Sequence, residues 1–419
     1  MFVGLSVCDF LVPNPNVDLQ KWAVIACDQF TSQPEYWKQV EDFIGLEASA
    51  LRLVLPENYL NTPQKEACLS SIRGTMQNYL ANGTLQNTGR GVIFVKRQTT
   101  TGMRRGLVLC ADLEHYDYGE GSTSLIRTTE GTILDRLPPR IAIRKQAEIE
   151  TSHIMVLFDD PQDALMNLFE NEKPQTPLYD VNLMQQSGAM QGYFVPEGAE
   201  TLQKAAQILQ DILQKSSAQC QNPILYAVGD GNHSLATAKV CWEQLKADGA
   251  PMDHPARYAM IELVNIHDAS LQFEPIHRVV FNCEPDVFLE QMENLAVSLG
   301  GKLIFTQPEQ SGGHTVRFLH KDGQGQLCFT KQLGEIPVDS LQTVLDEMMK
   351  YHKQATLDYV HGEHALELGK GYGNLAFILP AIEKSNFFAS ILKAPLPRKA
   401  FSMGEAQDKR FYFECRKIR

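Results

Sequence analysis

The sequence lacks any apolar run long enough to span a bilayer. Its longest runs, such as Ile154–Phe158 and Leu375–Leu379, are strand-sized, whereas a spanning helix needs about 20 apolar residues. The first residues, MFVGLSVCDFLVPNPNVDLQ, have no basic region and meet Asp9 early, so they do not read as a signal peptide. The nine cysteines, at 8, 27, 68, 110, 220, 241, 283, 328 and 415, are odd in number and form no Cys-x-x-Cys pair. They read as reduced thiols of a cytoplasmic protein, mostly buried as small hydrophobes. There is no Gly-x-Ser-x-Gly elbow and no recognisable cysteine nucleophile, which leaves serine and cysteine hydrolysis unsupported. Neither P-loop nor Rossmann glycine spacing occurs. Positive charge is in short supply: 38 basic against 50 acidic residues give a net charge of -12. Bulk nucleic-acid binding needs a basic face to release counterions, so no nucleic acid and no membrane is expected as a partner.

What is present is an ordinary globular composition, 43% hydrophobic and 21% charged over 419 residues, long enough for two lobes. The pattern predicts a helix opening at Pro34, with Thr31 or Ser32 as cap, and another over about Pro63–Leu80. Gly91–Lys96 and Arg105–Leu113 read as a β-hairpin. Tyr116–Thr132 is polar and glycine-rich and reads as a functional loop. Leu134–Arg144 follows, with a break expected at Pro138-Pro139. Strands are expected at His153–Phe158, Ile224–Val228 and Tyr258–Asn265. Helices are expected from Asp160-Pro161 onward, over Glu200–Lys215 and over Ser234–Ala247. Beyond about residue 283 come a helix at Asp286–Leu299, a hairpin of Thr315–Leu319 with Gln326–Thr330, a helix near Leu341–Lys350 and a strand at Leu375–Leu379. Alternating strands and helices predict a mixed α/β (α+β) protein. The expected division is a main α/β domain over 1–282, a smaller α+β lobe over 283–395, and a C-terminal segment, 396–419, returning to the site.

The most informative stretch is Gly229-Asp230-Gly231-Asn232-His233-Ser234. Apolar, β-prone residues precede it and helix formers follow. Two glycines clear space where backbone N–H groups can approach a ligand. A helix N-terminus adds free donors and partial positive charge, which suits an anion. Asp230 could hold a metal or orient a hydroxyl, and Asn232 and His233 could bond a phosphoryl oxygen. A plain strand-to-helix turn capped by Asn232 or Ser234 accounts for the same letters. Three further segments carry suitable chemistry. Arg127 to Thr132, with Asp135 and Arg136 nearby, sets the candidate base Glu130 among guanidinium groups, or is a solvated loop with surface ion pairs. Pro275-Ile276-His277-Arg278 offers a neighbouring His and Arg for an anion, or a structural His beside a surface Arg. Arg398 and Lys399, close to Ser402 and Gly404, could close an anion pocket, or lie on a basic edge strand. His361-Gly362-Glu363-His364 has the wrong spacing for a zinc helix. Asp28–Glu35 is a polar loop that could wall a pocket or only cap a helix.

Together these segments resemble the family called domain of unknown function 1015, placed near the ParB/sulfiredoxin-like fold. The family's strand, Asp-Gly-His-His-Arg and helix correspond to Asp230–Ser234. Its His-Glu-x-Thr loop corresponds to Thr129–Thr132, its Pro-x-His-Arg to Pro275–Arg278, and its late Pro-x-Lys-Ser/Thr-x-Phe segment to Pro397–Met403. The matches run in the family's order over nearly the whole chain. Asn232 replaces the first His of the usual pair, Ser234 its Arg, and Ala400 the usual hydroxyl residue. The resemblance implies a ParB/sulfiredoxin-like core with a second, smaller lobe. It also implies phosphoryl transfer to a small hydroxylated metabolite, as in relatives that look like free-serine kinases using ATP, ADP or pyrophosphate.

On that reading Asp230 holds Mg²⁺ or orients the acceptor. Gly229, Gly231, Asn232, His233 and Ser234 cradle the phosphate, and Glu130 takes the hydroxyl proton. Arg127, Arg136, His277, Arg278, Arg398 and Lys399 neutralise the donor. The alternative is a non-catalytic protein that senses a nucleotide or phosphometabolite at the same site. A DNA-partitioning role is disfavoured by the net charge of -12.

Overall fold

The computed structural model describes residues 2–31, 33–59, 65–306, 313–392, 395–397 and 399–419, with only the backbone of Asn58, Arg136 and Gln219. The chain divides into two compact units, Met1–Leu271 with Gly404–Arg419, and Gln272–Met403. Both mix helices with antiparallel-rich sheets, so the protein is a mixed α/β protein.

The first unit is built on a thirteen-stranded sheet. Its spine is the antiparallel hairpin Leu85–Thr99 with Gly102–Asp112, extended by Tyr258–Asn265, Met155–Phe158, Tyr226–Asp230 and Ile126–Thr128. Strand alternation sorts the side chains onto two faces. Ile93, Val95, Val108, Cys110 and Met260 join one core, into which the helices Pro34–Ile44 and Lys65–Ala81 insert Trp37, Val40, Ile72 and Met76. Val92, Phe94, Leu107, Leu109, Ala259 and Ile261 join the other, beneath the helices Ala164–Glu172, Glu200–Gln219 and Asn232–Ala247. The strands are apolar on both faces for this reason, and each fully buried Leu, Ile, Val or Phe contributes about 1.5–3 kcal/mol.

The chain end completes this unit. Cys415–Lys417 lies between Cys8–Pro13 and Ile149–Thr151, and Phe411–Tyr412 pairs with Val24–Ile25. The buried charges of this segment are matched. Arg410 meets Glu262 at 2.7 Å and Glu414 at 2.8 Å, and Arg416 meets Glu150 at 2.5 Å.

The second unit is a seven-stranded antiparallel sheet. Its strands include Phe273–Phe281, the hairpin His314–His320 with Gly323–Lys331, Thr356–His361 and Leu375–Ile378. The helices Pro285–Ser298, Pro337–Tyr351, His364–Gly369 and Lys384–Ser390 belong to it.

Several expected boundaries move. Pro138 and Pro139 do not break the Leu137–Arg144 helix but sit in its first turn, where a missing N–H has no partner to lose. The Tyr116–Thr132 loop contains two short strands, Tyr116–Asp117 and Ile126–Thr128, that extend the sheet in parallel. The helix expected from Asp160 begins at Ala164, and the Asp160 carboxylate accepts from the Leu165 N–H at 3.0 Å. The Pro34 helix is preceded by Gln33 without a side-chain cap, so Thr31 does not cap it; Ser32, the other expected cap, and Pro63 lie outside the described residues.

Candidate functional site

The Gly229–Ser234 turn joins the Tyr226–Asp230 strand to the Asn232–Ala247 helix. Gly231 sits at φ 78° and makes no side-chain cap. That left-handed conformation favours glycine. A Cβ there would also lie 3.0 Å from the Ile154 Cα. The Asp230 carboxylate accepts from its neighbour's N–H at 2.8 Å and pairs with the Lys409 ammonium at 3.3 Å. Burial pushes the Asp230 carboxyl up, but Lys409, then His153 and the Gly231 N–H, outweigh it and hold the group below the ordinary carboxylate range.

The Arg127–Thr132 segment is stitched to this turn. Thr129 donates to the Val228 carbonyl at 2.7 Å, and the Ile133 N–H donates to His233 Nε2 at 3.3 Å. Thr128 Oγ1 lies 2.6 Å from both the Glu130 carbonyl and Asn232 Oδ1. One hydroxyl proton serves only one of them. Turning the Asn232 amide over, so that its NH₂ donates to Thr128, satisfies both. Thr128 thereby ties the Glu130 backbone to Asn232, two residues after Asp230 in the chain.

Side chains from distant parts of the sequence meet at the same place. His153 is 8% exposed. Its Nε2 lies 3.5 Å from Ser234 Oγ and 3.8 Å from Asp28 Oδ2, and its Nδ1 lies 2.8 Å from the Tyr412 hydroxyl. Tyr412 OH is also 3.0 Å from Cys27 Sγ. Asp28, read from sequence only as part of a polar loop, is therefore a site carboxylate. His153, Lys409 and Tyr412 were missed altogether. His153 precedes a strand without any motif, and Lys409 and Tyr412 reach the site only because the last segment pairs with Val24–Ile25.

Other expected anion ligands are placed differently. Arg127 is buried and donates to the carbonyls of Ser124 and Asn222, both at 2.8 Å, so it ties the chain near Asn222 to its own strand. Arg136 lies in a short 3-10 turn, its side chain outside the described residues. His277 and Arg278 lie in the second unit, inside the Phe273–Phe281 strand. His277 Nδ1 accepts from the Leu379 N–H at 3.2 Å, and burial lowers its pKa. Arg278 is 0% exposed, not a surface arginine. It donates to Gln342 Oε1 at 2.7 Å, to the Ile276 carbonyl at 2.5 Å and to the Lys399 carbonyl at 3.0 Å, and its guanidinium lies 4.5 Å from the Tyr359 ring centre. Lys399 is exposed, at φ 53°, with its ammonium 5.0 Å from the same ring. Arg398 lies outside the described residues.

Among the described residues no three His, Cys, Asp or Glu side chains gather to hold a metal ion, His361–His364 included. Mg²⁺ fits this site only as an ion shared with phosphate oxygens, since it is commonly held by one or two carboxylates plus substrate. Asp230 and Asp28 are the carboxylates that would contribute. No helix among the described residues is long and apolar enough to cross a membrane. The apolar groove of about 280 Å³ lined by Leu69, Ile72, Met76, Ala142 and Ile143 contains none of these site residues.

Fold and site define a mixed α/β protein with a buried polar cluster at a helix start. Residues 11–354 match the model of the family described as "Protein of unknown function (DUF1015)", and the chain belongs to that family. No curated protein matches the chain. Among solved structures, a conserved hypothetical protein from Pyrococcus furiosus is 11% identical, covers 74% of this chain and 95% of its own, and has a TM-score of 0.37. SbnI with C-terminal truncation from Staphylococcus aureus is 11% identical, covers 71% and 82%, and has a TM-score of 0.37. Free serine kinase in complex with AMP is 12% identical, covers 72% and 92%, and has a TM-score of 0.38.

Proposed function

We propose that the Gly229–Ser234 turn binds a phosphoryl group and that the protein transfers it to the hydroxyl of a small metabolite. The observation that carries this reading is the meeting of two carboxylates, an ammonium and an imidazole at a helix start without a side-chain cap. They come from Asp28, His153, Asp230 and Lys409, which are far apart in sequence. Phosphoryl transfer depends mainly on positioning and charge neutralisation, and this set supplies both signs of charge at the N-terminus of a helix. Lys409 keeps Asp230 ionised, so that Asp230 orients the acceptor hydroxyl or the phosphate-borne Mg²⁺. Glu130 takes the hydroxyl proton, with Asp28 as the second carboxylate able to do so. Ser234 stands at the phosphate in place of the family's arginine. The ParB/sulfiredoxin-like core implied by the family resemblance belongs to this proposal, as does a nucleotide or pyrophosphate donor.

The test is phosphoryl transfer from ATP, ADP or pyrophosphate with Mg²⁺ to a panel of hydroxylated metabolites that includes free serine, followed by ³¹P NMR. Transfer by the wild type, lost in Asp230→Asn, is expected. A Glu130→Gln enzyme with full turnover would move the base to Asp28. Saturable nucleotide binding with no turnover on any acceptor would leave the regulatory binding protein as the reading. Nucleotide binding unaffected by changes at residues 230–234 would remove the site.

A further inference from the structure

Tyr412 comes from the last segment of the chain, yet its hydroxyl lies within the cluster around Asp230. It accepts from the Cys27 N–H at 3.3 Å. It has one proton to give, and two acceptors compete for it: His153 Nδ1 at 2.8 Å and Cys27 Sγ at 3.0 Å. An imidazole nitrogen lone pair is a strong acceptor and a thiol sulfur a weak one. Burial holds the Tyr412 phenol well above its ordinary value, so it keeps its proton. The proton therefore goes to Nδ1. A ring nitrogen that accepts carries no hydrogen, so the neutral ring bears its proton on Nε2.

The far side of the ring agrees with this. Nε2 faces two oxygens, Asp28 Oδ2 at 3.8 Å and Ser234 Oγ at 3.5 Å. The opposite tautomer would turn a lone pair toward the Asp28 carboxylate and leave Tyr412 donating to sulfur. We infer that Tyr412 is a positioning residue that fixes His153 as the Nε2–H tautomer, so that His153 is a hydrogen-bond donor aimed at Asp28 and Ser234. Its use in aligning Asp28 for proton acceptance rests on the phosphotransfer reading above; the tautomer itself does not.

The experiment is two-bond ¹H–¹⁵N correlation on the full-length protein with ¹⁵N-labelled histidine, recorded at pH 8. His153 is assigned among the 11 histidines by its loss in His153→Gln. The wild type is expected to show a protonated Nε2 and a bare Nδ1. In Tyr412→Phe, which keeps the ring and removes the donor, the two tautomers are expected to mix. An Nδ1–H ring or an imidazolium in the wild type would overturn the inference. An unchanged tautomer in a folded Tyr412→Phe protein would overturn it as well. Where that variant does not fold, the wild-type spectrum decides. ADP titration of the same wild-type sample separates the two claims. An Nε2–H ring in a protein that binds no phosphoryl donor sinks the proposed function and leaves the inference standing.

Discussion

Replacing Arg416 by Met tests whether buried charge clamps the last strand, and with it the segment that carries Lys409 and Tyr412. Glu150 accepts from Arg416 Nε at 2.5 Å, pairs with Arg144 Nη1 at 2.5 Å and accepts from the Met260 N–H at 2.9 Å. Its side chain is 7% exposed. Burial alone would raise this carboxyl, but Arg144 and Arg416 outweigh burial and hold it at about 2 instead of 4.5. Each pH unit corresponds to about 1.36 kcal/mol, so the depression is worth about 3 kcal/mol of stability. A carboxyl depressed in the folded state stabilises the protein above its unfolded value. That stability is therefore fully present above pH 4.5 and is lost as the pH falls from 4.5 to about 2. Arg416→Met removes one guanidinium and leaves the buried Glu150 carboxylate with Arg144 and the Met260 N–H. Breaking such a pair costs about 3–5 kcal/mol at neutral pH. The acid-dependent loss should shrink in the variant because its Glu150 titrates closer to the ordinary value. Urea unfolding at pH 7 and at pH 3, followed by circular dichroism, measures both effects. Equal stability at pH 7, or wild-type and variant curves that stay parallel from pH 7 to pH 3, would refute the reasoning.

Three other outcomes follow from the geometry. Gly231→Ala should cost about 2–3 kcal/mol in urea unfolding, from its left-handed backbone and the close Ile154 contact, whereas Gly249→Ala, at φ 91° with nothing within 4 Å, should cost about 1 kcal/mol. Equal costs would mean that the strand does not press on the turn. Asp230→Asn should fold normally and lower turnover by at least about a hundredfold; a variant at full turnover removes Asp230 from the reaction. Arg278→Met should cost the protein about 2–4 kcal/mol, because the buried acceptors on Gln342 and Ile276, and the part-buried Lys399 carbonyl, lose a charged donor. Its nucleotide affinity, measured by calorimetry, should be unchanged, and a tenfold loss in a folded variant would restore Arg278 as an anion ligand.

Much of the fold was legible because many elements are locally self-consistent. The hairpin at Gly91–Leu113, the strand Tyr258–Asn265 and the helices near 200–219 and 285–298 follow from period and end signals alone. The hairpin Tyr179–Asn182 with Ala189–Pro196 was not read, since its first strand has only four residues and its turn carries two non-glycine residues, Gln185 and Gln186, at positive φ. Buried strand charge was also hidden. Arg278 looked like a ligand in a row of letters, and only the fold shows its guanidinium turned onto Tyr359 and Gln342. The site was half legible. The glycine turn and the Glu130 segment are local motifs that the sheet brings side by side. His153 joins them from just before the Met155–Phe158 strand, and Lys409 and Tyr412 through pairing of the chain end with Val24–Ile25, a contact across nearly the full length of the sequence that no local pattern encodes.

The first turn of the Asn232–Ala247 helix is the proposed receiver of a phosphoryl group. A crystal of the protein grown with ADP and Mg²⁺ tests it most directly. Phosphate density is expected against the backbone of residues 231–234, within hydrogen-bonding reach of Ser234 and with any metal between phosphate and Asp230 or Asp28. Phosphates bound elsewhere, with the turn empty and Asp230 still closed on Lys409, would contradict it.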